Sequence, residues 1–243
     1  MIKQKIISKK YKPLVDDIER YFFESNVILQ NERNMIKVID FNNESLVIKS
    51  YKRPILINSF IYTFFKKSKA FRAYEYGLKI SKFTPEVIAR IEYFYPFLTK
   101  SYLICREFKA DFNLQKPLFH NHPDKKEIFS QFATFVYQLH QQNIVHRDLS
   151  PGNILVVKNG EKYQFKIIDI NRMSFKNPSK EQRAENFDKL WAHDEDLALI
   201  LRAYAKLAQF DEDIFIQLGI KCNQKNKDKK TRKRKIKQAL GLW

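Results

Sequence analysis

Val and Ile gather in three short runs early in the chain, residues 27–30, 35–41 and 46–51, and such composition predicts β-strands. Asn31-Glu32-Arg33-Asn34 and Asn42-Asn43-Glu44 are polar turns between them, so the runs predict an antiparallel meander that Pro54 closes. Residues 55–67 and then 68–82 read as helical, the second segment capped by Ser68 and favoured by Ala70, Ala73 and Leu78. Thr84-Pro85 ends that region, and 87–93 and 101–108 read as further strands. Pro123 opens a longer helix, in which Ile128, Phe132, Phe135, Val136 and Leu139 recur at three- and four-residue steps. Beyond it, 154–157 and 163–168 flank Asn159-Gly160, a strong short-range signal for a tight hairpin turn, and 190–207 reads as another helix.

Composition adds limits. The 44% hydrophobic and 14% aromatic content suffices for a packed core in a chain of 243 residues. Cys105 and Cys222 give neither a disulfide framework nor metal-ligand spacing, which points to a reducing, cytoplasmic setting. The start, Met-Ile-Lys-Gln-Lys, lacks the apolar core of a secretory signal. No apolar run approaches the ~18–20 residues a spanning helix needs.

Charge changes the picture more. Forty-five Lys and Arg against 27 Asp and Glu leave +18, a field that attracts polyanions such as nucleic acid, phosphorylated ligands or an anionic membrane face. Ten bases and one acid, Asp228, lie between Lys221 and Lys237, so this stretch carries half of the net charge and the rest is spread along the chain.

The chemistry concentrates in His146-Arg147-Asp148-Leu149-Ser150-Pro151-Gly152-Asn153, between the long helix and the hairpin. Its H-R-D-x-x-x-x-N spacing matches the protein-kinase catalytic loop position for position. Phosphoryl transfer from ATP needs a carboxylate for the acceptor hydroxyl, oxygen ligands for Mg²⁺ and a lysine on the phosphates. Asp148 is the candidate base, and Asn153 and Asp169 are the candidate metal ligands. Asp169-Ile170-Asn171 stands where kinases carry Asp-Phe-Gly. Lys49, in Leu46-Val47-Ile48-Lys49, is the candidate phosphate lysine, with Glu75 on the following helix its expected partner. His146 is expected to bond to backbone near the metal-binding segment. None of the five glycines lies in the first two-strand turn, so a glycine-rich lid is absent and Arg33 or Lys37 becomes a candidate for contacting phosphate by side chain. The element order is that of an α+β, bilobal protein-kinase-like fold with a short activation segment. It divides into a small antiparallel-sheet N-lobe (1–107), a helical C-lobe (108–220) and a basic C-terminal tail (221–243).

Two departures bear on the acceptor. Ser/Thr protein kinases usually carry Lys two residues after the catalytic Asp, where this chain has Ser150. Only 74 residues follow Asp169, without an Ala-Pro-Glu, which is short for peptide-docking machinery. The chain resembles the bacterial lipopolysaccharide core kinases, which phosphorylate Kdo or heptose sugars on lipid A. That resemblance rests on residues 46–49, on Ser68-Lys69-Ala70-Phe71-Arg72-Ala73-Tyr74-Glu75, on Thr84-Pro85, on 146–153, on Ile168-Asp169 and on Asp196-Leu197. It implies transfer of the ATP γ-phosphate to a sugar hydroxyl of an anionic glycolipid (lipid A and core oligosaccharide) at the cytoplasmic membrane's inner face. The positive charge suits such a partner. Lys52, Arg53, Lys66, Lys67 and Lys69 bracket the apolar segment 55–65, a composition shared by interfacial helices and by segments that simply pack into the small lobe. The rival class is the small atypical kinases of the RIO type, whose basic tails work on RNA; there residues 221–237 would contact RNA phosphates. A pseudokinase scaffold is a third reading.

Overall fold

The structure is a computed structural model that describes residues 1–31 and 34–239. Arg33 therefore lies outside the described residues. The chain divides into two compact units, residues 1–109 with 169–171, and residues 110–168 with 172–243.

The first unit is built on β1 (Ile2–Ile6), α1 (Lys12–Asp16), α2 (Ile18–Glu24), β2 (Val27–Asn31), β3 (Met35–Phe41), β4 (Glu44–Tyr51), α3 (Leu56–Phe64), α4 (Lys69–Lys79), β5 (Val87–Phe94) and β6 (Leu98–Arg106). Its six strands form one antiparallel sheet in the order β1-β5-β6-β4-β3-β2. The meander is present, and Asn42 and Asn43 turn it at φ 53° and 63°, a left-handed pair that asparagine tolerates. Sequence periodicity did not reveal β1, α1 or α2. Yet Tyr11, Leu14, Val15 and Ile18 are buried against Ile39, Phe41, Leu46, Ile48, Ile91 and Ile104, closing the core on one face of the sheet. α4 begins where the sequence placed it: the Ser68 hydroxyl accepts the Phe71 N–H at 2.9 Å. Ala70, Ala73, Tyr74 and Gly77 form its buried face. A Cβ on Gly77 would stand 2.3 Å from Val87 Cγ1, so glycine is what lets α4 lie close to β5.

The second unit contains β7 (Phe112–Asn113), α5 (Gln115–Phe119), α6 (Lys125–Gln141), β8 (Ile144–His146), β9 (Ile154–Asn159), β10 (Lys162–Ile167), β11 (Met173–Phe175), α7 (Lys180–Glu185), α8 (Asp194–Ala208) and α9 (Glu212–Ala239). α6 buries the five residues whose spacing predicted it, and adds Phe129, Ala133 and His140. Each fully buried Phe here contributes roughly 1.5–3 kcal/mol. The hairpin β9–β10 turns at Gly160 with φ 62°. β8 pairs with β11, His146 opposite Met173, which clamps both ends of the segment carrying the catalytic motif.

The boundary expected at 220/221 falls inside α9. The basic stretch continues a helix that starts at Glu212 and packs on α7 and α8. Phe215 stacks on Tyr204 at 5.3 Å, Asn223 Nδ2 donates to Ala192 O, and Asn226 Nδ2 donates to Asp188 O. Residues 229–239 are exposed. The helix buries its apolar anchors, Phe215 and Ile216, before the basic stretch begins, so composition alone concealed the attachment.

Candidate active site

In the first unit, Lys49 sits on β4 opposite Leu103. Its Nζ donates to Asp169 Oδ1 at 2.7 Å, with the two side chains 15% and 30% exposed. Asp169 has φ 57°, left-handed geometry that a non-glycine residue adopts at a cost of roughly 1–3 kcal/mol and that gathers at functional sites. Asn171, in the glycine position of the kinase motif, is buried, and its Nδ2 donates to the same Asp169 Oδ1 at 2.7 Å. The substitution therefore adds a donor that fastens the carboxylate. Nearby, burial drives the Tyr51 hydroxyl well up from its usual value, and the Asp169 charge adds to it. Desolvation pushes the Cys105 thiol up to about 12, which leaves it protonated and unreactive.

Two candidate residues make other contacts in this structure. Among the described residues no ion pair joins Lys49 to Glu75; Glu75 is half-buried on α4, and the lysine's strong counter-charge is Asp169. Lys37 is buried, its Nζ donating to Ser25 O at 2.8 Å and Phe23 O at 3.4 Å and lying over the Phe22 ring. An ammonium satisfied by backbone carbonyls in that way holds down the end of α2.

In the second unit the catalytic loop is tied down by its own histidine. His146 Nδ1 accepts the Asp148 N–H at 3.1 Å and Nε2 donates to Ile168 O at 3.0 Å, the backbone role expected of it. Asp148 O receives the Ser150 N–H at 2.7 Å and Asn153 Nδ2 at 3.0 Å. Only the amide nitrogen can donate to a carbonyl, so this bond fixes which way Asn153 faces. Its Oδ1 then accepts nothing among the described residues and is left as a neutral oxygen ligand. The Asp148 carboxylate is flanked by Arg172 Nη1 at 3.2 Å and Lys189 Nζ at 3.5 Å. Neither cation was singled out in the sequence, because neither belongs to the H-R-D-x-x-x-x-N spacing.

Behind the loop lies a buried polar chain. Asn186 Nδ2 donates to His146 O, Asn186 Oδ1 accepts from His140 Nε2 at 2.9 Å, and His140 Nδ1 meets the Tyr204 hydroxyl at 2.7 Å. Desolvation lowers the His140 imidazole to about 4, so it is neutral at physiological pH. A cavity of about 610 Å³ opens beside the loop, its lining including Arg147, Lys176, Gln182, Glu185, Asp188 and Lys189.

No cluster of three or more His, Cys, Asp or Glu able to hold a metal ion occurs among the described residues. Magnesium in phosphoryl transfer takes only one or two protein oxygens and completes its shell with phosphates and water. Asp169 in the first unit and Asn153 in the second each offer oxygen chemistry of that kind, a carboxylate and a carboxamide.

The sequence profile of the lipopolysaccharide kinase (Kdo/WaaP) family matches residues 65–209, more than half of the chain. The chain belongs to that family. It is a kinase, and the match includes the catalytic loop, Asp169 and Lys189, while Lys49 lies upstream of it. Among solved structures, WaaP in complex with acyl carrier protein superposes with a TM-score of 0.62 over 93% of this chain and 98% of that one, at 13% identity. This establishes the protein-kinase-like fold for the present Kdo/WaaP-family chain. No curated protein matches it.

Proposed function

We propose that this chain transfers the γ-phosphate of ATP to a sugar hydroxyl of the lipopolysaccharide inner core, a Kdo or heptose on lipid A. The observation that carries this reading is the state of the catalytic loop in a Kdo/WaaP-family chain. Asp148 presents a carboxylate held by two cations, and Asn153 has its amide nitrogen tied back so that its oxygen is available. In this mechanism Asp148 orients the acceptor hydroxyl and takes its proton. Lys49 holds the non-transferred phosphates. Asp169 and Asn153 are the residues that would hold Mg²⁺, and the ion would supply neutralisation of charge on the phosphates.

The acceptor is membrane-anchored, and α3 suits a protein that works at an anionic lipid surface. Ile55, Leu56, Ile57, Phe64 and Phe65 are 62–77% exposed, whereas Ser59 is buried and Thr63 Oγ1 accepts the Leu98 N–H. The helix docks by its small polar residues and by Phe60 against Phe97, and turns its apolar residues outward. Lys52, Arg53, Lys66 and Lys67 around it are exposed. Basic residues flanking an apolar helix face match an anionic bilayer interface, and each contributes ~1 kcal/mol there. No described helix is long and apolar enough to cross a membrane.

Incubation with radiolabelled ATP and either Kdo-lipid A or total tRNA with ribosomal protein separates the glycolipid reading from the RNA-linked one. Label is expected in the glycolipid, and Asp148→Asn should reduce transfer by roughly 10²–10⁴-fold, the usual contribution of a general base. Label confined to the RNA-linked fraction overturns the glycolipid assignment.

A further inference from the structure

Protein kinases of the Ser/Thr type supply a cation from the second residue after their catalytic Asp, and here that position is Ser150. The need for the charge does not disappear with the residue. As the phosphoryl group moves, negative charge spreads over its equatorial oxygens beside the catalytic carboxylate, and a preorganised cation is the most effective stabiliser there.

The structure brings a lysine to Asp148 from elsewhere in the second unit. Lys189, 41 residues along the chain, sets Nζ 3.5 Å from Asp148 Oδ1 and donates a hydrogen bond to Arg147 O. The carbonyl fixes the ammonium's place without cancelling its charge. The backbone that carries it is also fixed. Residues 188–190 form a single 3-10 turn, closed by Leu190 N–H to Phe187 O at 3.1 Å. Phe187 and Leu190 are fully buried, and Asn226 of α9 donates to Asp188 O at 3.2 Å. Arg172, the other cation on Asp148, has a side chain 51% exposed, against 30% for Lys189. Lys189 is thus the better shielded of the two.

We propose that Lys189 supplies through space the charge that protein kinases place two residues after the catalytic Asp. It positions the Asp148 carboxylate and stabilises the phosphoryl group in flight. The acceptor O–H proton passes to Asp148, the acceptor oxygen bonds to the γ-phosphorus, and the bond to the β-phosphate oxygen breaks to release ADP. The inference rests on the phosphotransferase reading above.

The test compares wild type, Lys189→Met, Lys189→Arg and the double variant Ser150→Lys/Lys189→Met, with circular dichroism confirming the fold of each. Two quantities are read: phosphate transfer from labelled ATP to Kdo-lipid A, and binding of MgADP with and without aluminium fluoride, which mimics the transferred group. Lys189→Met should lower kcat by ~10²-fold and remove most of the fluoride-dependent tightening, leaving the KM for ATP and binding of MgADP alone within about threefold. Lys189→Arg should retain part of the rate. The double variant should recover about tenfold or more over Lys189→Met, which a purely structural tie to the Arg147 carbonyl would not allow. An active wild type with an equally active Lys189→Met, or a folded double variant with no recovery, overturns the assignment to Lys189 alone. A wild type that neither transfers phosphate nor binds nucleotide overturns the phosphotransferase reading, and this inference falls with it.

Discussion

At the scale of single residues, Asn171 shows how a departure from a motif is absorbed. Kinases carry glycine there; here a buried carboxamide donates to Asp169 Oδ1 at 2.7 Å, beside the Lys49 ammonium on the same oxygen. A hydrogen bond to a charged group contributes about 1.5–3 kcal/mol, so Asn171→Ala should weaken magnesium-dependent nucleotide binding by roughly tenfold or more. Titrating Mg²⁺ into the kinase assay measures this, and an unchanged half-saturating concentration would show that Asp169 is held well enough without it. Asp148, Asn153 and Asp169 stand out in the sequence as candidates because the kinase catalytic loop has a fixed spacing and an acidic residue follows the second hairpin strand. The partners of Lys49 and Lys37 do not. Which oxygen an ammonium reaches depends on where strands and helices end, and a glutamate on the right helix is no guide to that.

At the scale of elements, the helix behind the catalytic loop carries a pH-sensitive tie. The His140 imidazole is buried between Tyr204 and Asn186 and lowered from 6.5 to about 4, chiefly by desolvation. Between those values the unfolded chain binds a proton at His140 that the native state refuses. The contribution to stability is complete above pH 6.5 and declines as pH falls toward 4, by up to roughly 3 kcal/mol. Asp188 acts with the opposite sign. Burial raises its carboxyl from 3.8 to about 6, so its contribution is present at low pH and lost as pH rises through that interval. Urea unfolding of wild type and His140→Gln at pH 7 and pH 5 isolates the histidine. The variant should be less stable at pH 7 and change less between the two; an identical pH dependence would assign the titration to another group. α6 itself was plain from its apolar period. The histidine's role was hidden because Tyr204 and Asn186 arrive from elements far along the chain; β1 was missed because it is a largely exposed edge strand, and α1 and α2 because their burial comes only from the finished sheet.

At the scale of the whole molecule, with the proposed glycolipid as acceptor, a net charge of +18 and an outward-facing apolar helix would act together at an anionic surface. Vesicles containing phosphatidylglycerol should bind the protein and neutral phosphatidylcholine vesicles should not. Binding should weaken as salt shortens the screening length from ~10 Å at 0.1 M to ~3 Å at 1 M. Leu56→Asp with Phe64→Asp should lower partitioning by at least about tenfold, since both the burial of two large apolar groups and favourable charge are lost. Binding of that variant equal to wild type would show that charge elsewhere, including the exposed end of α9, is sufficient.

The kinase chemistry, the order of sheet and helices, and the chain's own positive charge could be read from the sequence, because catalytic spacing, apolar period and net charge are properties of the chain taken in order. Only the tertiary structure decided where Lys189 stands, what Lys49 and Lys37 hold, and that the apolar side of α3 faces outward. Those depend on distances across the fold, which local propensity does not encode.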